Sequence, residues 1–60
     1  RTTIYIFYKN DKVKFATEVC DDVVIQASTK YNGMLDEVDK NILDIWSKKF
    51  KIKNENLNMD

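Results

Sequence analysis

Leu35–Phe50 reads LDEVDKNILDIWSKKF, and its pattern decides the fold. At 100° per residue Leu35, Val38, Ile42, Leu43, Ile45, Trp46 and Phe50 fall in one arc of roughly 160°, the signature of an amphipathic helix. Asp36, Glu37, Lys40, Asn41, Asp44, Ser47 and Lys48 fill the opposite arc. Acidic residues come early and Lys48 and Lys49 late, as the helix dipole favours. Asp36–Lys40 and Asp44–Lys48 are acid-first pairs at i, i+4. A lone helix of this length is marginal in water, so its apolar arc needs a surface to lie on. Two charges interrupt that arc. Lys49 can extend its stem and keep its ammonium wet. Asp39 is too short for that, so it is expected at an exposed rim or paired with a cation from a binding partner.

The remainder of the chain supplies the surface. Thr2–Tyr8 and Val13–Val19 are rich in β-branched and aromatic residues and read as an antiparallel hairpin. Asn10-Asp11 is its tight turn, both residues tolerating the left-handed conformation. A regular register sets Tyr8 opposite Val13, Ile6 opposite Phe15 and Ile4 opposite Thr17. The expected seat for the helix is then Ile4, Ile6, Tyr8, Val13 and Phe15. Tyr5 and Phe7 are left on the other face with Lys12 and Lys14. Asp21–Asn32 admits two readings. Alternation of Val23, Ile25 and Ala27 fits a third strand. A cap at Asp21 or Asp22 and a left-handed stop at Gly33 fit a short helix, which the caps favour. Lys51-Ile52-Lys53 reads as a short edge strand guarded by its lysines, and Asn54–Asp60 as a frayed polar tail. The expected fold class is α+β, an antiparallel hairpin packed on a C-terminal amphipathic helix, in a single small domain spanning residues 1–60.

Size and composition narrow the function. Sixty residues bury only about 60% of the unfolded surface, so stability is thin without help from a partner chain. Cys20 is the sole cysteine and there is no histidine, which excludes the common zinc sites and points to a reducing compartment. No run is long enough to span a membrane and there is no signal peptide. Arg1 is not a natural start, so a residue or more is expected ahead of it. Net charge is zero, yet residues 18–44 are acidic and both ends basic. An acidic surface of that kind could dock on a basic protein.

Catalytic chemistry finds no residues to carry it. Asp21-Asp22 and Asp36-Glu37-Asp39 read as cap or first-turn carboxylates without further ligands, so no metal and no cofactor is expected. Cys20, Ser28, Thr29 and Ser47 lack an activating base, and the single glycine forms no phosphate loop. Tyr5, Phe7, Lys12 and Lys14 on one sheet face could stack bases and contact phosphates, giving a small nucleic-acid-binding regulator as the second reading. Zero net charge argues against it. A third reading is a homodimer that buries its own exposed aromatics. Trp46 is either a core residue or an interface anchor.

Tyr8-Lys9-Asn10, Asp21-Asp22-Val23, Ala27-Ser28-Thr29-Lys30-Tyr31 and Glu37-Val38-Asp39-Lys40 occur in the order of similar runs in the Dmd family. That family comprises small antitoxins of T4-like bacteriophages. The chain resembles it over most of residues 7–46, with gaps, notably between Tyr31 and Glu37. It departs from the family pattern at Ile25 or Gln26, where the family has tryptophan, and at Asp39, where it has asparagine. The resemblance implies a non-enzymatic, cytoplasmic inhibitor that binds a host endoribonuclease toxin of the RNase LS type. An acidic segment suits the basic groove of such an enzyme. The expected partner-binding residues are Asp21, Asp22, Gln26, Asp36, Asp39 and Trp46, with Tyr5 and Phe7 as a second patch.

Overall fold

The structure, a computed structural model, describes residues 1–31 and 33–54. Strands β1 (Thr2–Lys9), β2 (Lys12–Cys20) and β3 (Val23–Thr29) form one antiparallel sheet in the order β1-β2-β3, followed by helix α1 (Glu37–Lys49). The fold is α+β, as expected. The segment expected by preference to be a short helix is instead β3. Both strand connections are two-residue turns in the left-handed region, Asn10 (φ 53°) with Asp11 (φ 64°), and Asp21 (φ 51°) with Asp22 (φ 66°). Such turns match the twist of the strands they join. Asp21 and Asp22 therefore start a hairpin rather than cap a helix. Gly33 is not a helix stop either. Its N–H donates to Thr29 Oγ1 at 3.0 Å, and a Cβ placed on it would lie 2.7 Å from that oxygen.

A bulge in β2 decides which side chains face the helix. Tyr8 pairs with Val13, as a regular hairpin requires, but Phe7 pairs with Phe15, Tyr5 with Thr17 and Thr3 with Val19. Lys14 is the extra residue. One inserted residue carries everything beyond it on β1 to the opposite side. The helix consequently lies over Tyr5, Phe7, Phe15, Thr17 and Val19. Of the expected seat, Phe15 is under the helix, and Ile4, Ile6, Tyr8 and Val13 are on the bare face. A second irregularity lies between Glu18 and Val19 of β2, where Gln26 and Val24 are the successive partners and Ile25 is the extra residue.

The core is small: Phe15, Val19, Val24, Leu35 and Leu43, with Phe7, Ala27, Trp46 and Ile52 packed against it. An aromatic chain runs through it. Phe7 stacks on Phe15 at 4.3 Å between centroids, and Trp46 meets Phe7 edge-on at 5.3 Å and Tyr5 at 4.9 Å. Phe50 follows Trp46 at 5.8 Å. Asp36 caps α1, its Oδ1 accepting from the Asp39 N–H at 2.8 Å. The buried positions of α1 are Asp39, Leu43 and Ser47, one above the next at i, i+4, i+8. The helix is thus turned about a quarter turn from the orientation its apolar arc implies. Val38 and Ile45, each 62% exposed, and Ile42 form a stripe on the solvent side. Ser47 is small enough to let the helix approach, and its hydroxyl donates to the Asp44 carbonyl at 2.9 Å.

After α1 the chain turns at Lys51 (φ 60°) and comes alongside β3. The Lys53 N–H donates to the Asp22 carbonyl and the Val24 N–H to the Lys53 carbonyl, both at 2.8 Å. The expected edge strand is therefore a single parallel bridge, Val23 to Lys53. Residues 55–60, most of the expected tail, lie outside the described residues.

Candidate protein-interaction surface

With α1 on one side of the sheet, the other side is open. Along β1 it presents Ile4 (63% exposed), Ile6 (50%) and Tyr8 (63%). Cross-strand partners share a face, so Ala16 stands between Ile6 and Ser28, and Glu18 between Ile4 and Gln26. Ala16 is small, and two shallow depressions meet over it. One, of about 300 Å³, is lined by Val13, Ala16, Ser28, Thr29 and Lys30. The other, of about 120 Å³, includes Ile4, Glu18 and Gln26. The surface is thus a furrow with an apolar ridge on β1 and a polar wall on β3. That mixture of exposed aliphatic and tyrosyl groups with polar neighbours is characteristic of protein-binding patches.

The expected contact residues do not come together. Gln26 lies on the open face. Asp21 and Asp22 are exposed at the β2–β3 turn, where Asp21 Oδ1 is 3.8 Å from the N-terminal amine. Asp36 is exposed at the opposite end of the sheet, where α1 begins. Tyr5 and Phe7 of β1 pack against Trp46 of α1 at the helix–sheet contact. Asp39 is 2% exposed, against the expectation of a rim position or a partner's cation. Its Oδ1 lies 3.6 Å from Lys14 Nζ and accepts no hydrogen bond from the described residues. The cation that faces it comes from the chain itself, directed by the β2 bulge.

The acidic stretch does not fold into one acidic face. Asp39 faces Lys14 of the first hairpin, while at the other end of the sheet Asp21 faces the N-terminal amine and the Asp22 backbone carbonyl accepts from the Lys53 N–H. Asp44 pairs with Lys48 at 3.3 Å. The residues offered for stacking bases are no better placed. Phe7 is partly buried against Trp46, Tyr5 is held edge-on by Trp46 with 39% of its surface exposed, and Lys14 is engaged with Asp39.

Sequence reasoning missed the open face because a regular hairpin hides Ile4, Ile6 and Tyr8. The alternation along β1 marks two apolar faces equally well. Cys20 Sγ donates to Asp21 Oδ2 at 3.8 Å, and the described residues bring no three His, Cys, Asp or Glu side chains together as a metal site. No described helix is long and apolar enough to cross a membrane.

None of the family models, characterised proteins or solved structures compared with the chain matches it.

Proposed function

We propose that the chain is a non-enzymatic protein-binding module that engages its partner through the open face of the sheet. The observation that carries this reading is the ridge of Ile4, Ile6 and Tyr8 standing clear of a sheet whose other face carries α1. A 60-residue chain has little apolar surface to spare, and leaving this much uncovered favours a surface kept for binding. The partner class rests on the resemblance to the phage antitoxins, which supports a host endoribonuclease toxin bound in the cytoplasm. Asp21, Asp22 and Gln26 remain accessible as flanking contacts. Tyr5 and Phe7 of the sheet and Asp39 and Trp46 of α1 act at the contact between helix and sheet, holding the sheet in the shape that presents the ridge.

The test is a titration of the chain into an RNA-cleavage assay of an endoribonuclease of that type. Cleavage is expected to stop at a fixed stoichiometric ratio, while the chain alone shows no salt-dependent affinity for RNA. Tyr8→Ala removes the largest exposed side chain of the ridge. It is expected to weaken inhibition about tenfold or more without loss of fold. Cleavage that continues at full rate in excess folded chain would sink the toxin-inhibitor reading. Inhibition untouched by Tyr8→Ala would move the contact off this face.

A further inference from the structure

We propose that two copies of the chain pair antiparallel through the outer edge of β1, making one six-stranded sheet. This surface is the strand's hydrogen-bonding edge, distinct from the open face, and the inference does not depend on the partner's identity. The two edges of the sheet are treated differently. On β3 the outer edge is occupied near both ends. The Val24 N–H donates to the Lys53 carbonyl at 2.8 Å, and the Thr29 N–H to the Gly33 carbonyl at 3.0 Å. On β1 no described residue covers the outer edge. Between Arg1 and Lys9 that strand has no charge, proline or glycine, the residues that natural edges use as guards. The β2 bulge keeps its extra residue, Lys14, on the inner strand, and β1 is left without an inserted residue.

Geometry selects the occupant and the register. Residues paired across an antiparallel ladder share a face, so the open-face residues Ile4, Ile6 and Tyr8 must meet one another. Centring the pair on Tyr5 would set Arg1 opposite Lys9 of the second copy. Centring it on Ile6 sets Ile6 opposite its own equivalent, Ile4 opposite Tyr8, Tyr5 opposite Phe7 and Thr3 opposite Lys9, with no like-charged pair. The strand is thus complementary to itself about a two-fold axis. Zero net charge removes the general repulsion between copies. The pairing also sets the two open faces side by side as one wider platform.

Sedimentation equilibrium of the whole chain, from about 1 to about 500 µM, tests this. A reversible species of twice the 7.1 kDa monomer is expected. Ile6→Lys places two ammonium groups on the axis and is expected to raise the dissociation constant at least about tenfold. Val13→Lys alters the same open face on the central strand and is expected to leave the dimer intact. Amide exchange gives an independent reading, with β1 amides directed away from β2 gaining protection as concentration rises. A monomer throughout the range overturns the proposal. So does dissociation by Val13→Lys, which would mean face-to-face packing, and so does β1 protection that ignores concentration.

Discussion

Phe15→Ala is expected to unfold the chain. Phe15 is fully buried at the centre of the sheet, stacked on Phe7 and part of a core of five buried apolar side chains among the described residues. Truncating a buried phenylalanine costs about 3–5 kcal/mol, from lost transfer energy and the cavity left behind. A domain of this size has about 3–9 kcal/mol in total at typical stability per residue. The loss therefore takes most or all of the reserve. Loss of near-ultraviolet circular dichroism and of a cooperative thermal transition at 25 °C is the expected result. A variant that still melts cooperatively near the parent midpoint would mean the aromatic chain is not the centre of the core.

Lys14→Met should be the most damaging change at a residue that is not itself in the apolar core. It removes the cation facing Asp39 and keeps most of the aliphatic stem. Asp39 is then a buried carboxylate that has lost its facing cation and keeps only the weaker support of the helix N-terminus. Breaking a fully buried ion pair from one side costs about 3–5 kcal/mol. Lys14 is partly exposed, its side chain at 36%, so about 2–3 kcal/mol is the fitting figure for this site. Combining Lys14→Met with Asp39→Leu removes both charges from the contact. The double variant is expected to recover most of that loss, since apolar replacements of buried pairs are often neutral or better. Urea denaturation of the two single variants and the double variant measures this directly. Additive losses would mean that Lys14 and Asp39 are not coupled.

Much of the fold could be read from residue patterns. The period of Leu35–Phe50 gave a helix, and Asn10-Asp11 gave a two-residue turn, because both signals are local. What could not be read was the side of each element that turns inward. The β2 bulge carries no glycine or other mark at Lys14, yet it reverses the facing of Ile4, Ile6, Tyr5 and Phe7. The helix follows the sheet. Its apolar arc would bury Val38, Ile42 and Ile45, but the tilt set by Trp46 on Tyr5 and Phe7, and by Lys14 on Asp39, buries Asp39, Leu43 and Ser47 instead. Asp21-Asp22 misled for a related reason. Aspartate serves equally as a helix cap and as a left-handed turn residue, and the choice depends on β2 offering a partner edge.

For the interaction surface the consequence is direct. Charge summed along the sequence pointed to an acidic docking face. In the fold those carboxylates divide between the two ends of the sheet, where Asp39 faces Lys14 and Asp21 faces the N-terminal amine. The sheet surface left for a partner is the apolar ridge on β1, whose exposure depends on one inserted residue in β2.

The position of Trp46 tests that dependence most directly. Nuclear Overhauser contacts from its indole protons should reach the rings of Tyr5 and Phe7, with none to the methyl groups of Ile4 or Ile6. Contacts from Trp46 to Ile4 and Ile6, with Tyr5 and Phe7 free, would contradict the account by restoring the regular hairpin and moving the open face to the other side of the sheet.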